Sequence, residues 1–363
     1  MNNLLRSIQL RLCLLFLFSG SAAACVASSG LVHRDTAELG RDVPAFSSAL
    51  PAAMAPGLNG SISDLAWFTP GAPGDETQLS RWRRSVGPAV VRVQPTGDVS
   101  SLDHLTIVSW NTAVGEGHVV EFVRTLPPGP LVLLLQEVYR GGPEVPSQLP
   151  SALAAFAGHL GGAAAGPTCH EIEDVAARLG LNVYYVPSMR NGGLTFDEDR
   201  GNAILSNLPL TELRAIELPF ERQRRVAVAA TIQGRTTAGS PWRVRLVSAH
   251  LDNMSTIKRA WLGAEYGRAR QARELAALLR DSEPTILAGD FNTWFGFSDR
   301  AYLDTARAFP QTTVLDRRAT FRGILRLDHV FFRLQPGWRA EFRRAESRFG
   351  SDHYPLVGAL HFN

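Results

Sequence analysis

The amino-acid sequence predicts an α/β fold in which two mixed β-sheets pack face to face and helices cover their outer faces. From Leu105 onward, short apolar runs alternate with helical segments. These runs are too short for most helices and too uniformly apolar for half-exposed strands, so they are typical of strands covered on both faces. Some runs, such as 203–205 and 226–232, follow each other with no helix between them. Direct connections of this kind favour two mixed sheets over one parallel sheet.

Six of the predicted strands end at, contain or follow polar residues. The clearest predicted helix, residues 257–280, carries Leu275, Leu278 and Leu279 on one apolar stripe. A short β-branched segment at 89–93 predicts an edge strand nearer the N-terminus. The six strands are predicted at 105–110, 131–135, 244–249, 285–288, 325–332 and 356–360.

The first residues predict a protein exported from a bacterial cytoplasm. Arg6 and Arg11 precede an apolar run at 12–18, and small residues follow it up to Cys25. This order is that of a secretory signal, and the run is much shorter than the roughly 20 residues that span a bilayer. Residues 1–24 are therefore predicted to be a signal peptide.

Cys25 leaves two destinations open. Residues 22–25 resemble a bacterial lipobox, which would place a lipid on Cys25 and anchor the protein to a membrane. Cleavage by an ordinary signal peptidase would instead give a periplasmic or secreted protein. Only Cys25 and Cys169 remain once the leader is removed, so a disulfide framework is not indicated.

Composition divides the mature chain into a tether and one large domain. Residues 25–80 are rich in Ala, Ser, Gly and Pro and are predicted to be a tether. Residues 81–363 are predicted to form the domain that carries the chemistry, and a monomer is expected. The 45% hydrophobic content allows a large core and excludes a disordered or fibrous protein. The net charge of +3 falls to +1 without the two leader arginines, so a strongly basic nucleic-acid-binding face is not required.

Oxygen-bearing side chains lie next to the predicted strands. Cysteine is absent from this group, and oxygen donors without thiolates favour a hard cation such as Mg²⁺ or Mn²⁺ over structural zinc. His250 and His353 lie among them, and imidazole is suited to proton transfer or charge stabilisation near neutral pH. The oxygen-bearing residues are Asn111, Glu137, Asp290, Asn292 and Asp352.

Seven short motifs occur in one order along residues 104–361. They are Trp-Asn at 110–111, Leu-Gln-Glu at 135–137, RGNAILS at 200–206, SAHL at 248–251, GDFN at 289–292, LDH at 327–329 and GSDHYPL at 350–356. Together they resemble the endonuclease/exonuclease/phosphatase superfamily, which includes deoxyribonuclease I, abasic-site endonucleases, neutral sphingomyelinases and inositol-polyphosphate phosphatases. Each string alone is weak, but the ordered set is specific. The resemblance implies the four-layer α/β sandwich of deoxyribonuclease I.

The resemblance also implies a role for each matching residue. Glu137 would be the principal ligand of Mg²⁺ or Mn²⁺, with Asn111 and Asp352 beside it. Asp290 would orient or deprotonate the attacking water, and Asn292 would hold the phosphate.

Two histidines would assist the reaction. His353 would face the scissile phosphate, with Asp328 fixing its ring and favouring the imidazolium. His250 stands where deoxyribonuclease I and sphingomyelinases have histidine and abasic-site endonucleases have tyrosine. Those endonucleases also tend to carry aspartate where this chain has Ala113, so a second metal there is not indicated.

Substrate contacts are expected from side chains near these motifs. Arg200, Asn202 and Asn253 are candidates, although the first two could instead organise the loop before their strand. Trp294, Phe295 and Phe297 follow the fifth motif and could line a substrate groove or simply pack. Three arginines at 222, 224 and 225 could meet successive phosphates or form a solvated charge run.

The resemblance implies hydrolysis of a phosphodiester, with a nucleic acid as the first expectation. A sphingomyelinase-like activity or an inositol-phosphate phosphatase is the alternative. A non-catalytic binding module is less favoured, because such a protein would lack at least one metal or histidine position and here all are filled.

Overall fold

The computed structural model describes residues 30–34, 47–48, 65–94, 101–146, 169–190, 197–253 and 262–362. The predicted signal peptide and Cys25 lie outside these residues. Within the described ranges, no helix is long and apolar enough to cross a membrane.

Two mixed β-sheets form the centre of the fold, which confirms the predicted fold class. The strands are β1 (Leu31–Arg34), β2 (Ser47–Ser48), β3 (Ala66–Pro70), β4 (Val90–Arg92), β5 (His104–Asn111), β6 (Leu131–Gly141), β7 (Asn182–Arg190), β8 (Glu198–Ser206), β9 (Thr211–Glu217), β10 (Val226–Arg235), β11 (Pro241–His250), β12 (Thr285–Asp290), β13 (Asp328–Arg333), β14 (Arg339–Arg344) and β15 (Leu356–His361). The first sheet has the order β1-β3-β9-β10-β11-β12-β13, and the second has the order β14-β15-β5-β6-β8-β7-β4-β2.

Helices cover the outer faces of both sheets. They are α1 (Pro73–Arg83), α2 (Val119–Val123), α3 (Ile172–Leu179), α4 (Leu262–Leu278) and α5 (Arg300–Ala308), with a short 3₁₀ turn at Gly296–Ser298. Helices α2 and α3 pack on the second sheet, and α4 and α5 pack on the first. The predicted helix at 257–280 corresponds to α4, and its first turn falls outside the described residues.

The apolar runs are uniform because both faces of the central strands are buried. Ile107 of β5 and Leu246 of β11 point into the core between the sheets. Their neighbours Val108 and Val247 point outward, against the helices of the two outer layers. Side chains therefore alternate between the two faces of each strand, but both faces contact apolar surroundings, and neither faces solvent.

Strand direction brings the polar strand ends to one edge of the sandwich. β5 and β6 are parallel neighbours in the second sheet, and β11 and β12 are parallel neighbours in the first. β13 runs antiparallel to β12, so its first residue, Asp328, pairs with the last residue of β12, Asp290. Asp290 also pairs with His250, the last residue of β11. Residues from distant motifs thus meet without any long loop.

Part of the predicted tether belongs to the sandwich. Strand β3 pairs in parallel with β9, β1 pairs with β3, and β2 pairs with β4. The prediction of a tether over residues 25–80 is therefore wrong for 31–34, 47–48 and 66–80. Two of the prolines that suggested a break lie at boundaries, since Pro70 ends β3 and Pro73 begins α1, where a missing N–H is tolerated.

A buried ion cluster fastens α1 to the first sheet. Glu217, at the end of β9, accepts hydrogen bonds from Arg83 Nε at 2.9 Å and from Arg224 Nε at 2.7 Å. Arg83 also reaches Glu76 at 2.7 Å. Burial favours the protonated form of Glu217, but the two guanidiniums outweigh it and hold the pKa of this carboxyl below its usual range.

Removal of one member of this cluster should destabilise the whole domain. Arg83→Ala is expected to lower the free energy of unfolding by about 3 kcal/mol, because part of a buried carboxylate's compensation is lost. Arg81→Ala, at an exposed site on the same helix, should change it by less than about 0.5 kcal/mol. Urea denaturation of both variants measures the difference, and equal midpoints would show that the ion cluster contributes nothing to stability.

Candidate active site

The polar edge of the sandwich holds a compact group of buried side chains centred on Asp290. Asn111 Nδ2 donates to Asp290 Oδ2 at 2.9 Å, and the backbone N–H of Asn292 donates to Oδ1 at 2.8 Å. The Nε2 atoms of His250 and His353 lie 3.5 and 3.7 Å from Oδ2. Burial raises the pKa of Asp290 above the usual aspartate range, which suits it to accept a proton.

His353 is held as an imidazolium. Its Nδ1 lies 2.8 Å from Asp328 Oδ2, so the contact predicted from the sequence is present. Trp110 Nε1 donates to the His353 carbonyl at 3.0 Å, and the Phe321 ring lies against the imidazole with centroids 4.9 Å apart. Burial would lower the pKa of His353, but the carboxylates of Asp328 and Asp290 outweigh it and raise the pKa to about 10.

His250 differs from His353 in charge. Arg225 NH1 lies 3.0 Å from its Nδ1, and because guanidinium can only donate, Nδ1 acts as an acceptor. Asn292 Nδ2 lies 3.0 Å from Nε2. Burial, followed by the charges of Arg225 and Arg200, lowers the pKa of His250 well below its ordinary value. The ring is therefore neutral at pH 7, and the positively charged donor of the site is His353.

A β-bulge presents Glu137. Between the pairs Leu135–Ala203 and Val138–Gly201, two residues of β6 stand opposite one residue of β8. Glu137 has φ 50°, in the left-handed region, and its carboxylate lies 3.3 Å from Arg200 NH1 and 3.8 Å from His250 Nδ1. Bulges of this kind redirect a side chain at the rim of a sheet. The carboxylate consequently faces the same centre as Asp290.

The donor set fits a hard divalent cation. Asp290, Asp328 and His353 offer ligand atoms within 4.8 Å of one another and could together hold a metal ion, and Asp328 Oδ1 is buried without a hydrogen-bond partner. A protonated imidazole cannot be a ligand, however, and Nδ1 of His353 is already engaged by Asp328. Glu137 and Asp352, whose side chains are 20% and 30% exposed, also offer oxygen ligands, and each carboxylate lies beside an arginine.

Comparison with known protein families covers the part of the chain that carries this site. A family model described as "Endonuclease/Exonuclease/phosphatase family" matches residues 108–353, a span that contains all the side chains just described. The chain belongs to the endonuclease/exonuclease/phosphatase family. Proteins of this family are hydrolytic phosphoesterases such as endonucleases, phosphatases and sphingomyelinases.

Individual relatives of this family member are distant. A UPF0294 protein of Vibrio vulnificus is 33% identical over 109 residues, which are 29% of this chain and 37% of that protein. The chain thus spans little more than a third of that relative's length. An endonuclease/exonuclease/phosphatase from Beutenbergia cavernae is 18% identical with a TM-score of 0.49 and 72% coverage of both chains. Sphingomyelinase C from Streptomyces griseocarneus is 16% identical with a TM-score of 0.43, over 71% of this chain and 99% of its own.

The predicted metal ligands of this family member are placed around the centre. Asn111 Oδ1 accepts a hydrogen bond from the N–H of Ala113 at 3.0 Å, which turns the chain after β5. Asp352 is partly exposed, with Arg322 NH2 3.4 Å from its carboxylate. Ser351 Oγ donates to the Asn111 carbonyl at 2.7 Å and so joins the loops that carry these two residues.

The predicted substrate-binding residues divide into two groups. Arg200 faces the centre through Glu137, and Asn253 is half-buried just beyond β11. Asn202 is buried opposite the bulge, and its Nδ2 donates to the Val226 carbonyl at 2.7 Å, a bond from one sheet to the other. Asn202 therefore has a structural role, and its contact with substrate stays a prediction.

The arginines at 222, 224 and 225 do not form the predicted phosphate-binding run. Arg224 is fully buried in the ion cluster with Glu217, and Arg225 is buried behind His250. The contact between Arg225 and His250 was missed at the sequence level, because no motif or periodicity relates residues 25 positions apart. Two adjacent arginines before a strand were the available signal, since their side chains must point to opposite sides.

His353 and Asp328 are expected to act as one unit. His353→Ala should lower kcat by about 10²- to 10⁴-fold, since a positioned charged donor is lost. Asp328→Asn should also lower kcat but add little once His353 is absent. A double-mutant cycle in kcat measures this coupling, and fully additive losses would contradict it.

Proposed function

We propose that the protein hydrolyses a phosphodiester, with a nucleic acid as its substrate, in a reaction that requires Mg²⁺ or Mn²⁺. The observation that carries the proposal is the pairing of Asp290 with His353, whose Oδ2 and Nε2 lie 3.7 Å apart in a buried site. The Asp290 carboxylate has a raised affinity for a proton, and the His353 imidazolium carries a positive charge. Hydrolysis of a phosphate ester needs both.

Each side chain then has a defined task. Asp290 accepts a proton from the attacking water, while the amide of Asn111 fixes the carboxylate in place. Water oxygen bonds to phosphorus as the ester P–O bond breaks. The His353 imidazolium stabilises the charge that develops on the phosphate and can protonate the leaving oxygen, and Asp328 keeps its ring oriented.

A divalent cation would complete the site. Glu137 would be its principal ligand, with Asn111 and Asp352 beside it. When bound, Mg²⁺ or Mn²⁺ would neutralise charge on the phosphoryl oxygens. Without it, the carboxylates of Glu137 and Asp352 would repel an anionic substrate and weaken its binding at the reacting centre.

The charge at the mouth of the site supports a diester. Arg200 and Arg322 stand beside the Glu137 and Asp352 carboxylates. Arg322 is exposed enough to contact a neighbouring phosphate of a polymeric substrate. A small monoester substrate has no such second phosphate to contact. The rival candidates are a sphingomyelinase-like diesterase and an inositol-phosphate phosphatase.

Plasmid DNA should be nicked in Mg²⁺, less so at high salt, and not at all in EDTA. Glu137→Gln should abolish turnover because the metal loses its anionic ligand, whereas Glu121→Gln, at a side chain 69% exposed on α2, should retain it. RNA, sphingomyelin, an inositol phosphate and a simple phosphomonoester complete the assay panel. Cleavage of the monoester with no nicking of DNA and no action on sphingomyelin would overturn the proposal, and undiminished turnover in EDTA would remove the metal.

We propose, in addition, that residues 1–24 direct export and that Cys25 carries a lipid. The leader composition and the lipobox-like residues 22–25 support this proposal. Cys25→Ser should move the protein from the membrane fraction to the soluble periplasmic or secreted fraction. Wild-type protein that is already fully soluble after fractionation would establish ordinary signal cleavage instead.

A further inference from the structure

Three large apolar side chains are exposed beside the active site. Trp294 is 50% exposed, Phe295 49% and Ile324 77%, values that are high for residues of this size. These three residues are called the apolar rim, and the guanidinium of Arg322 lies on the same turn as Ile324. Packing within the fold leaves about half or more of each of these three side chains in water.

The two rings of the rim are held on a short, well-fixed turn directly after Asn292. The N–H of Trp294 donates to the Asn292 carbonyl at 3.0 Å, and the N–H of Gly296 donates to the Thr293 carbonyl at 2.7 Å. Thr293 Oγ1 donates to the Arg326 carbonyl at 2.9 Å. The backbone that carries the two rings is therefore held in place one short turn away from Asn292 and the reacting centre.

The other half of the rim comes from the turn at 321–325. Phe321 lies against the imidazole of His353, with centroids 4.9 Å apart, and the N–H of Arg322 donates to the Asp352 carbonyl at 2.9 Å. Ile324 stands at the outer end of this turn. The rim is thus attached on both sides to residues of the catalytic centre.

Phe297 shows what packing looks like in the same loop. Its ring contacts Tyr302 at a centroid distance of 5.0 Å and His329 at 5.6 Å, and the guanidinium of Arg317 lies over it at 5.0 Å. Of the three aromatic residues that follow the fifth motif, Phe297 is a packing residue. Trp294 and Phe295 are the two left with exposed faces.

Resting on the proposed hydrolysis of a nucleic acid, we propose that the apolar rim binds unpaired bases of a single-stranded substrate. Trp294 and Phe295 stack on bases that flank the scissile phosphate, and Arg322 meets an adjacent phosphate. Stacking on aromatic rings is insensitive to base identity, and it needs a free base face. Bases inside a duplex already stack on both faces, so the rim selects single strands, loops or ends.

A lipid surface fits the rim less well. The two rings are half covered and lie in a turn tied to Asn292 and Arg326, and only Ile324 protrudes strongly. Interfacial binding depends on a larger buried apolar area. Base stacking needs only one open ring face, and about half of the surface of Trp294 and of Phe295 is exposed.

The test measures binding apart from hydrolysis. The full-length protein is titrated in EDTA with three fluorescein-labelled oligomers of equal length: single-stranded DNA, the same sequence as a duplex, and a base-free sugar-phosphate chain. The variants are Trp294→Ala, Phe295→Ala, their combination, and Trp294→Phe as the conservative replacement. Tyr266→Ala removes a ring of similar exposure, 53%, from α4 and is the matched control.

The single strand should bind wild type at least about tenfold more tightly than the base-free chain, and the double variant should lose that difference. Trp294→Phe should keep most of it, and Tyr266→Ala should keep all of it. Equal affinity of wild type for base-bearing and base-free chains would overturn the inference. So would loss of phosphatidylserine vesicle binding in the double variant without any change in DNA binding.

Cleavage in Mg²⁺ separates this inference from the proposed function. Ring-dependent binding with no cleavage of any oligomer would overturn the proposed hydrolysis and support the rim. Cleavage that proceeds with the same KM in wild type and in the double variant would support the hydrolysis and overturn the rim.

Discussion

The site depends on one buried positive charge shared between two carboxylates. His353 stands between Asp328 and Asp290, at 2.8 and 3.7 Å, and all three side chains are buried. A buried ion group of this kind is stabilised when well-placed donors meet its remaining charges. The amide of Asn111 and the N–H of Asn292 do this for Asp290, and both depend on where strands β5 and β12 end.

Polar bonds as well as apolar packing join the two sheets. Gln136 Nε2 donates to Ser248 Oγ at 2.9 Å, and Ser248 Oγ donates to the Leu135 carbonyl at 3.0 Å. These bonds tie β6 to β11 directly beneath the centre. Gly289 allows the same closeness within the first sheet, since a Cβ there would lie 1.8 Å from the Ala249 carbonyl oxygen.

Much of the fold and of the candidate site could be predicted from the sequence. The core strands are uniformly apolar, and the polar residues follow them in a recognisable order. The N-terminal strands could not: their prolines suggest a tether, and only pairing with β9 reveals a sheet. The neutral state of His250 was equally hidden, since it depends on Arg225, a residue placed beside it by tertiary contact alone. Local pattern specifies elements, whereas charge states depend on neighbours from other parts of the chain.

The bulge in β6 interrupts the regular strand and at the same time presents the Glu137 carboxylate. Leu135 and Val138 point to the same outer layer although they are three positions apart, so the strand contains one residue more than regular alternation needs. Glu137 is thus one residue more than the regular alternation of the strand accommodates. A chain without it would lose the carboxylate and also the Glu137 carbonyl, which accepts a hydrogen bond from Thr112 Oγ1 at 3.1 Å. The extra residue thus contributes both to the polar edge of the sandwich and to the turn that follows β5.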